Sequence, residues 1–180
     1  MAKRSVDWII LWDNAVLLIE VKSARATQAI RLGGAAGWTA LTDKLGQAYN
    51  QLATTSQLID DAHPKFSHIP RNLPRIGLIL TVEPYPFVDA GMIRSMFGAA
   101  PTIPTRVCSV NTLEWLVCLP DRSIGEYLVN LMTDPAKEGW EVLGGDEYAG
   151  VEFRPNPVLD QAWNTFRWSP AVDIGTPGDG

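Results

Sequence analysis

The sequence predicts a mixed α/β domain, and three segments carry that prediction. Two short apolar runs, residues 5–12 and 15–22, flank Asp13-Asn14, a pattern typical of a tight β-hairpin. Residues 40–61 then follow the period of an amphipathic helix. Residues 76–82 form a short apolar run that ends before two prolines, which indicates a buried strand. Strands and helices therefore alternate along the chain, as they do in α/β domains.

Composition limits the classes to which the protein can belong. The 180 residues suit one domain, and we expect it to span 1–168 with a helical extension at its C-terminal end and a flexible tail over 169–180. A hydrophobic content of 46% is enough for a core, and a net charge of -5 argues against a broad basic surface. Two cysteines are too few for a disulfide framework. With neither a membrane span nor a signal peptide in view, we expect a cytoplasmic protein with no membrane partner.

The central helix and the later elements follow from local signals. We expect a loop over residues 23–38, and then a helix over 40–61 whose apolar stripe is formed by Leu41, Leu45, Ala48, Leu52 and Ile59.

A short helix is expected over 87–97 and a strand over 106–110. Capping-box spacing starts helices at Asn111 and at Ser123, and the second of these ends before Pro135. Trp115 and Trp140 lie in apolar patterns and are expected in the core.

The hairpin concentrates charge at its open end. A two-residue turn pairs Trp12 with Ala15, and the same register sets Asp7 opposite Glu20. Strand alternation places Lys22 on the face of Glu20. Two carboxylates directly opposed destabilise a sheet unless a cation lies between them, and Mg²⁺ prefers such oxygen ligands. A three-residue loop would shift the register and separate the carboxylates.

Asp7, twelve intervening residues and Glu20-Val21-Lys22 together resemble the PD-(D/E)xK nuclease superfamily, with Val6 in place of the name-giving proline. The resemblance covers residues 5–85 and implies a restriction-endonuclease-like fold, a central mixed sheet flanked by helices. It implies that Asp7, Glu20 and the Val21 carbonyl hold Mg²⁺ or Mn²⁺, and that Lys22 acts on the attacking water.

The resemblance also implies a DNA substrate and further contacts. The family often carries a glutamine in the helix after the hairpin, and Gln47 and Gln51 occupy that place, with Gln47 expected to be catalytic. Four residues are expected to contact nucleic acid: Arg25, Arg31, Lys44 and Gln51.

One departure from the family leaves the function open. The family core usually has a helix and a strand before the Asp strand, whereas Asp7 is the seventh residue here. Either the N-terminal part of the core was removed or replaced, or another chain supplies it, in a homodimer or from a partner chain. The alternatives are a catalytically inactive binding or assembly module that keeps the fold, and an unrelated α/β interaction domain with an aromatic C-terminal cluster.

Overall fold

The structure is a computed structural model, and it describes residues 5–23, 35–85, 88–89, 94, 102–119, 123–145 and 152–165. The tail expected over 169–180 and most of the helix expected over 87–97 and of the loop expected over 23–38 fall outside these ranges. The last part of that loop, residues 35–38, is described and is helical, so the central helix begins five residues before the predicted start at 40. Within them the protein is a mixed α/β structure with a four-stranded mixed sheet and four α-helices.

The sheet has the strand order β1-β2-β3-β4. These strands are β1 (Trp8–Leu11), β2 (Val16–Lys22), β3 (Arg75–Thr81) and β4 (Thr105–Ser109). β1 and β2 are antiparallel and form the predicted hairpin, whereas β2, β3 and β4 run parallel. The hairpin register is the predicted one, with Trp8 opposite Ile19 and Leu11 opposite Val16. A backbone hydrogen bond of 2.9 Å from Trp12 N to Ala15 O closes the two-residue turn.

Helices cover both faces of the sheet. They are α1 (Ala35–Asp60), α2 (Val110–Val117), α3 (Ile124–Thr133) and α4 (Pro157–Thr165). α1 packs its predicted stripe against the sheet face that carries Leu18, Ile79 and Val107. α2 and α3 pack against the other face through a second cluster that includes Leu116 and Leu128. No helix in the described ranges combines the length and hydropathy that a membrane crossing requires.

Tertiary packing corrects three local expectations. α2 begins two residues early, because Ser109 rather than Asn111 caps it and accepts a hydrogen bond from Thr112 N. Trp115 and Trp140 were expected in the core, yet both are exposed. α2 turns Leu116 inward, and the preceding residue, Trp115, lies about 100° away around the helix, where its ring packs against Phe153 and remains half exposed.

A glycine brings α1 and two strands into close contact. A Cβ atom added at Gly77 of β3 would lie 2.6 Å from Thr105 Oγ1 and 3.0 Å from Leu52 Cδ1. The absence of a side chain at this point lets α1 lie directly on β3. α1 therefore lies close to the sheet around Leu52, and the neighbouring Gln51 reaches the end of β2.

Candidate functional site

Glu20 is a buried carboxylate near the C-terminal end of β2. Strand alternation turns it toward α1, and the side chain lies in a largely apolar face, so that only 2% of its surface is exposed. A lone buried carboxylate is costly unless it is paired. Lys22, two residues further along the same face, supplies that partner through a contact of 2.6 Å between its Nζ and Glu20 Oε1.

Gln51 of α1 holds the other side of the lysine. Lys22 Nζ donates to Gln51 Oε1 at 2.7 Å, and Gln51 Nε2 donates in turn to the carbonyl oxygen of Ser5 at 3.4 Å. Glu20, Lys22, Gln51 and the Ser5 backbone thus form one chain of hydrogen bonds that joins β2, α1 and the segment before β1. This chain fixes the position of the ammonium group.

Asp7 lies directly before β1, where the ladder of the hairpin has already ended. Its backbone N donates to Ile19 O at 3.1 Å, and its Oδ2 accepts a hydrogen bond of 2.9 Å from Val21 N. The carboxylate therefore lies along the edge of β2 instead of facing Glu20 as a regular ladder partner. Within a strand, the N–H and C=O of one residue point the same way, so the Val21 carbonyl is directed to the side on which Asp7 lies.

Burial makes the charged form of Glu20 costly. Burial raises the pKa of Glu20 above its usual value and the nearby charge of Asp7 adds to this, whereas the hydrogen bond and charge of Lys22 and the hydrogen-bonding amide of Gln51 lower it. Glu20 Oε2 is buried and meets the criteria of a hydrogen bond with none of the residues that the structure describes. A buried acceptor without a donor is destabilising, and a cation beside Oε2 would relieve this cost.

A divalent cation fits these residues on chemical grounds. Two carboxylates and a backbone carbonyl are the hard oxygen ligands that Mg²⁺ takes, with water and substrate completing the shell. This candidate ligand set contains only two side chains. In the described part of the chain, no group of three or more His, Cys, Asp or Glu residues is arranged to hold a metal ion. Asp7, Glu20 and the Val21 carbonyl are the groups that would hold such an ion.

The structure separates the remaining predicted residues. Gln51, expected at nucleic acid, instead contacts Lys22, whereas Gln47, expected to be catalytic, is exposed one turn earlier. Lys44 is exposed three residues before Gln47, so the two lie on neighbouring turns of one face of α1. Arg25 and Arg31 lie outside the described residues.

Sequence reasoning did not find the role of Ser5. Its contribution comes from the backbone, and no side-chain pattern signals a carbonyl that accepts a hydrogen bond from a helix 46 positions away in sequence.

Comparison of the chain with protein-family models, curated proteins and solved structures finds no match.

Proposed function

We propose that the protein is a metal-dependent nuclease that hydrolyses phosphodiester bonds of DNA, with a restriction-endonuclease-like fold and Mg²⁺ or Mn²⁺ as its cofactor. The observation that carries the proposal is the buried Glu20, whose Oε1 is paired with Lys22 and whose Oε2 has no hydrogen-bond partner among the described residues, within reach of the charge of Asp7. A carboxylate–lysine pair that only stabilised the fold would not require a buried oxygen without a partner.

Each residue has a defined task in this proposal. Asp7, Glu20 and the Val21 carbonyl bind the metal ion, which supplies Lewis-acid polarisation of the phosphoryl group and a more acidic bound water. Lys22 places its ammonium group beside Glu20, where it stabilises the negative charge that develops on the phosphate. Gln51 is a positioning residue, because it holds Lys22 and is itself held by the Ser5 carbonyl.

Lys44 and Gln47 extend the site along α1. Both are exposed on the helix face that reaches Lys22, Gln47 about one turn and Lys44 about two turns before Gln51. We assign them contacts to the sugar–phosphate backbone, for which a lysine and an amide are suitable donors. Such contacts supply affinity without sequence preference, and their contribution falls as salt rises.

Cleavage of plasmid and end-labelled DNA in Mg²⁺ or Mn²⁺ tests the proposal. We expect cleavage that a chelator abolishes and that is lost in Asp7→Ala, Glu20→Gln and Lys22→Ala. Asp43→Asn is the control, because it removes an exposed carboxylate of α1 and should leave cleavage unchanged. Cleavage that persists unchanged in all three variants would refute the nuclease assignment.

A catalytically inactive binding module is the second candidate. The small number of acidic ligands favours it, since the described residues offer two carboxylates and not three. Calorimetry with MgCl₂ separates the two proposals. Magnesium binding that disappears in Glu20→Gln supports the nuclease, whereas a folded chain with neither cleavage nor Glu20-dependent magnesium binding supports the inactive module.

A further inference from the structure

The two edges of the sheet differ in how their backbone groups are satisfied. On β4, the N–H of Val107 donates to Asp89 Oδ2 at 3.0 Å, and the carbonyl of Thr105 accepts from the Arg94 guanidinium. Asp89 and Arg94 also lie 3.6 Å apart as an ion pair. This pair takes the place of a neighbouring strand, and such covering is a common protection of a sheet edge.

β1 forms the opposite edge and has none of these protections among the described residues. Trp12 and Ala15 form a hydrogen-bonded pair, so Ile10 and Trp8 also direct their backbone groups at β2. By the same alternation, Ile9 and Leu11 direct their N–H and C=O groups outward. The four residues of β1 carry no charge and no proline, the usual devices that prevent strand addition.

The side chains of β1 are also poorly covered for such large apolar groups. Trp8 is 67% exposed, Leu11 46% and Ile10 41%. Trp8 and Ile10 lie on one face of the sheet, where the exposed Val21 of the neighbouring strand continues the apolar surface. Because unpaired backbone groups and exposed apolar side chains occur together, the chemistry of this edge matches a β-strand rather than a small molecule or a helix.

We propose that β1 pairs antiparallel with β1 of a second copy of this chain, joining the two sheets edge to edge about a two-fold axis. The charge pattern of the hairpin selects the register of this pairing. With Ile9 opposite Ile9 of the partner copy, Trp8 of each copy faces Ile10 of the other, an aromatic–aliphatic pair that stabilises sheets. Asp7 then lies opposite Leu11, and Asp13 opposite Ser5.

A shift of one copy by two residues would be unfavourable. It would set Asp7 directly against Asp13 of the other copy, and opposed like charges destabilise a sheet. A two-fold interface needs a surface that is complementary to itself, and of the two registers that pair three residues of β1 with the partner's β1, only the one centred on Ile9 keeps Asp7 and Asp13 apart. The contact is small, so we expect a weak and concentration-dependent dimer.

Sedimentation equilibrium of the full chain tests this pairing over concentrations from about 10 to about 500 µM, the range suited to a small interface. Ile10→Lys adds a charge to the paired face, and Leu11→Pro removes an outward N–H without touching the hydrogen bonds to β2. We expect each variant to raise the dissociation constant at least about tenfold. Circular dichroism checks that both variants fold. If Leu11→Pro does not fold, the dissociation constant of Ile10→Lys alone decides whether the pairing holds.

Val158→Lys is the matched control, because Val158 is 73% exposed on α4, away from the sheet edge. A dimer that survives Val158→Lys and is lost in Ile10→Lys supports the pairing. A chain that stays monomeric over the whole range overturns it. So does a dimer that Ile10→Lys leaves intact, or one that Val158→Lys disrupts, since the latter would place the contact on α4.

Discussion

Replacement of Asp89 by asparagine should remove a pH-dependent loss of stability. Asp89 is fully buried, and burial raises its pKa from 3.8 to about 6 against the opposing effects of the Val107 N–H and of the Arg94 and Arg106 charges. Asparagine is nearly isosteric and retains an oxygen that accepts the hydrogen bond from Val107 N.

The direction of the effect follows from proton binding. The unfolded chain releases the Asp89 proton near pH 3.8, whereas the folded protein holds it up to about pH 6. The folded state therefore binds more protons in this window, and this group lowers the stability as the pH rises through it. The shift of about two pKa units amounts to about 3 kcal/mol in all, of which about 2 kcal/mol develops between pH 4.5 and pH 7.5.

Urea denaturation of the wild type and of Asp89→Asn at a series of pH values measures this difference. We expect the free energy of unfolding of the variant, measured relative to that of the wild type, to rise by about 2 kcal/mol between pH 4.5 and pH 7.5. Any effect of the new amide on Arg94 changes the stability difference between variant and wild type by the same amount at every pH. Asp43→Asn, which removes an exposed carboxylate, serves as the control and should show no such gain. Stability curves of wild type and Asp89→Asn that stay parallel would refute the reasoning.

Three further predictions concern packing and pairing. Lys22→Met leaves Glu20 without its 2.6 Å partner and should cost about 3 kcal/mol in urea denaturation. Adding Glu20→Gln should recover most of this loss, and an unchanged stability in Lys22→Met would show that the pair contributes little. Gly77→Ala places a Cβ atom 2.6 Å from Thr105 Oγ1 and should lower the free energy of unfolding by about 2 kcal/mol. Adding Thr105→Ala should restore part of this loss. An unchanged melting temperature in Gly77→Ala would contradict this close approach. Burial raises the pKa of Cys108 to about 12, so the thiol should not react with maleimide in the native protein at pH 8. Peptide mapping should find Cys108 labelled only after treatment in denaturant. Rapid labelling of the native protein would contradict its burial.

The local elements could be predicted because their signals are short in range. The Asp13-Asn14 turn and the apolar runs beside it define the hairpin and its register, which the observed pairing of Trp8 with Ile19 confirms. The stripe of α1 and the buried run of β3 follow from periodicity alone, and Ser123 caps α3 as its sequence signature predicts.

The candidate site was predicted only in part, because its geometry depends on contacts between distant segments. The sequence brings Glu20 and Lys22 to one face, but the helix residue that reaches Lys22 depends on how α1 is rotated over the sheet. That rotation favours Gln51 over Gln47. The end of the ladder at Trp8 turns Asp7 toward Val21 N, a departure from regular pairing that no alternation rule contains.

The sequence by itself determined the mixed α/β class, the hairpin and the pair of charges at its open end, since periods of 2 and 3.6 residues and a two-residue turn are local properties of the chain. Only the tertiary structure decided which edge of the sheet is covered. Asp89 and Arg94 reach β4 from an intervening segment of the chain, while β1 keeps its outward backbone groups unpaired within the described residues. Whether the backbone groups of an edge strand find hydrogen-bond partners depends on where distant segments fold, and local sequence patterns do not contain this information.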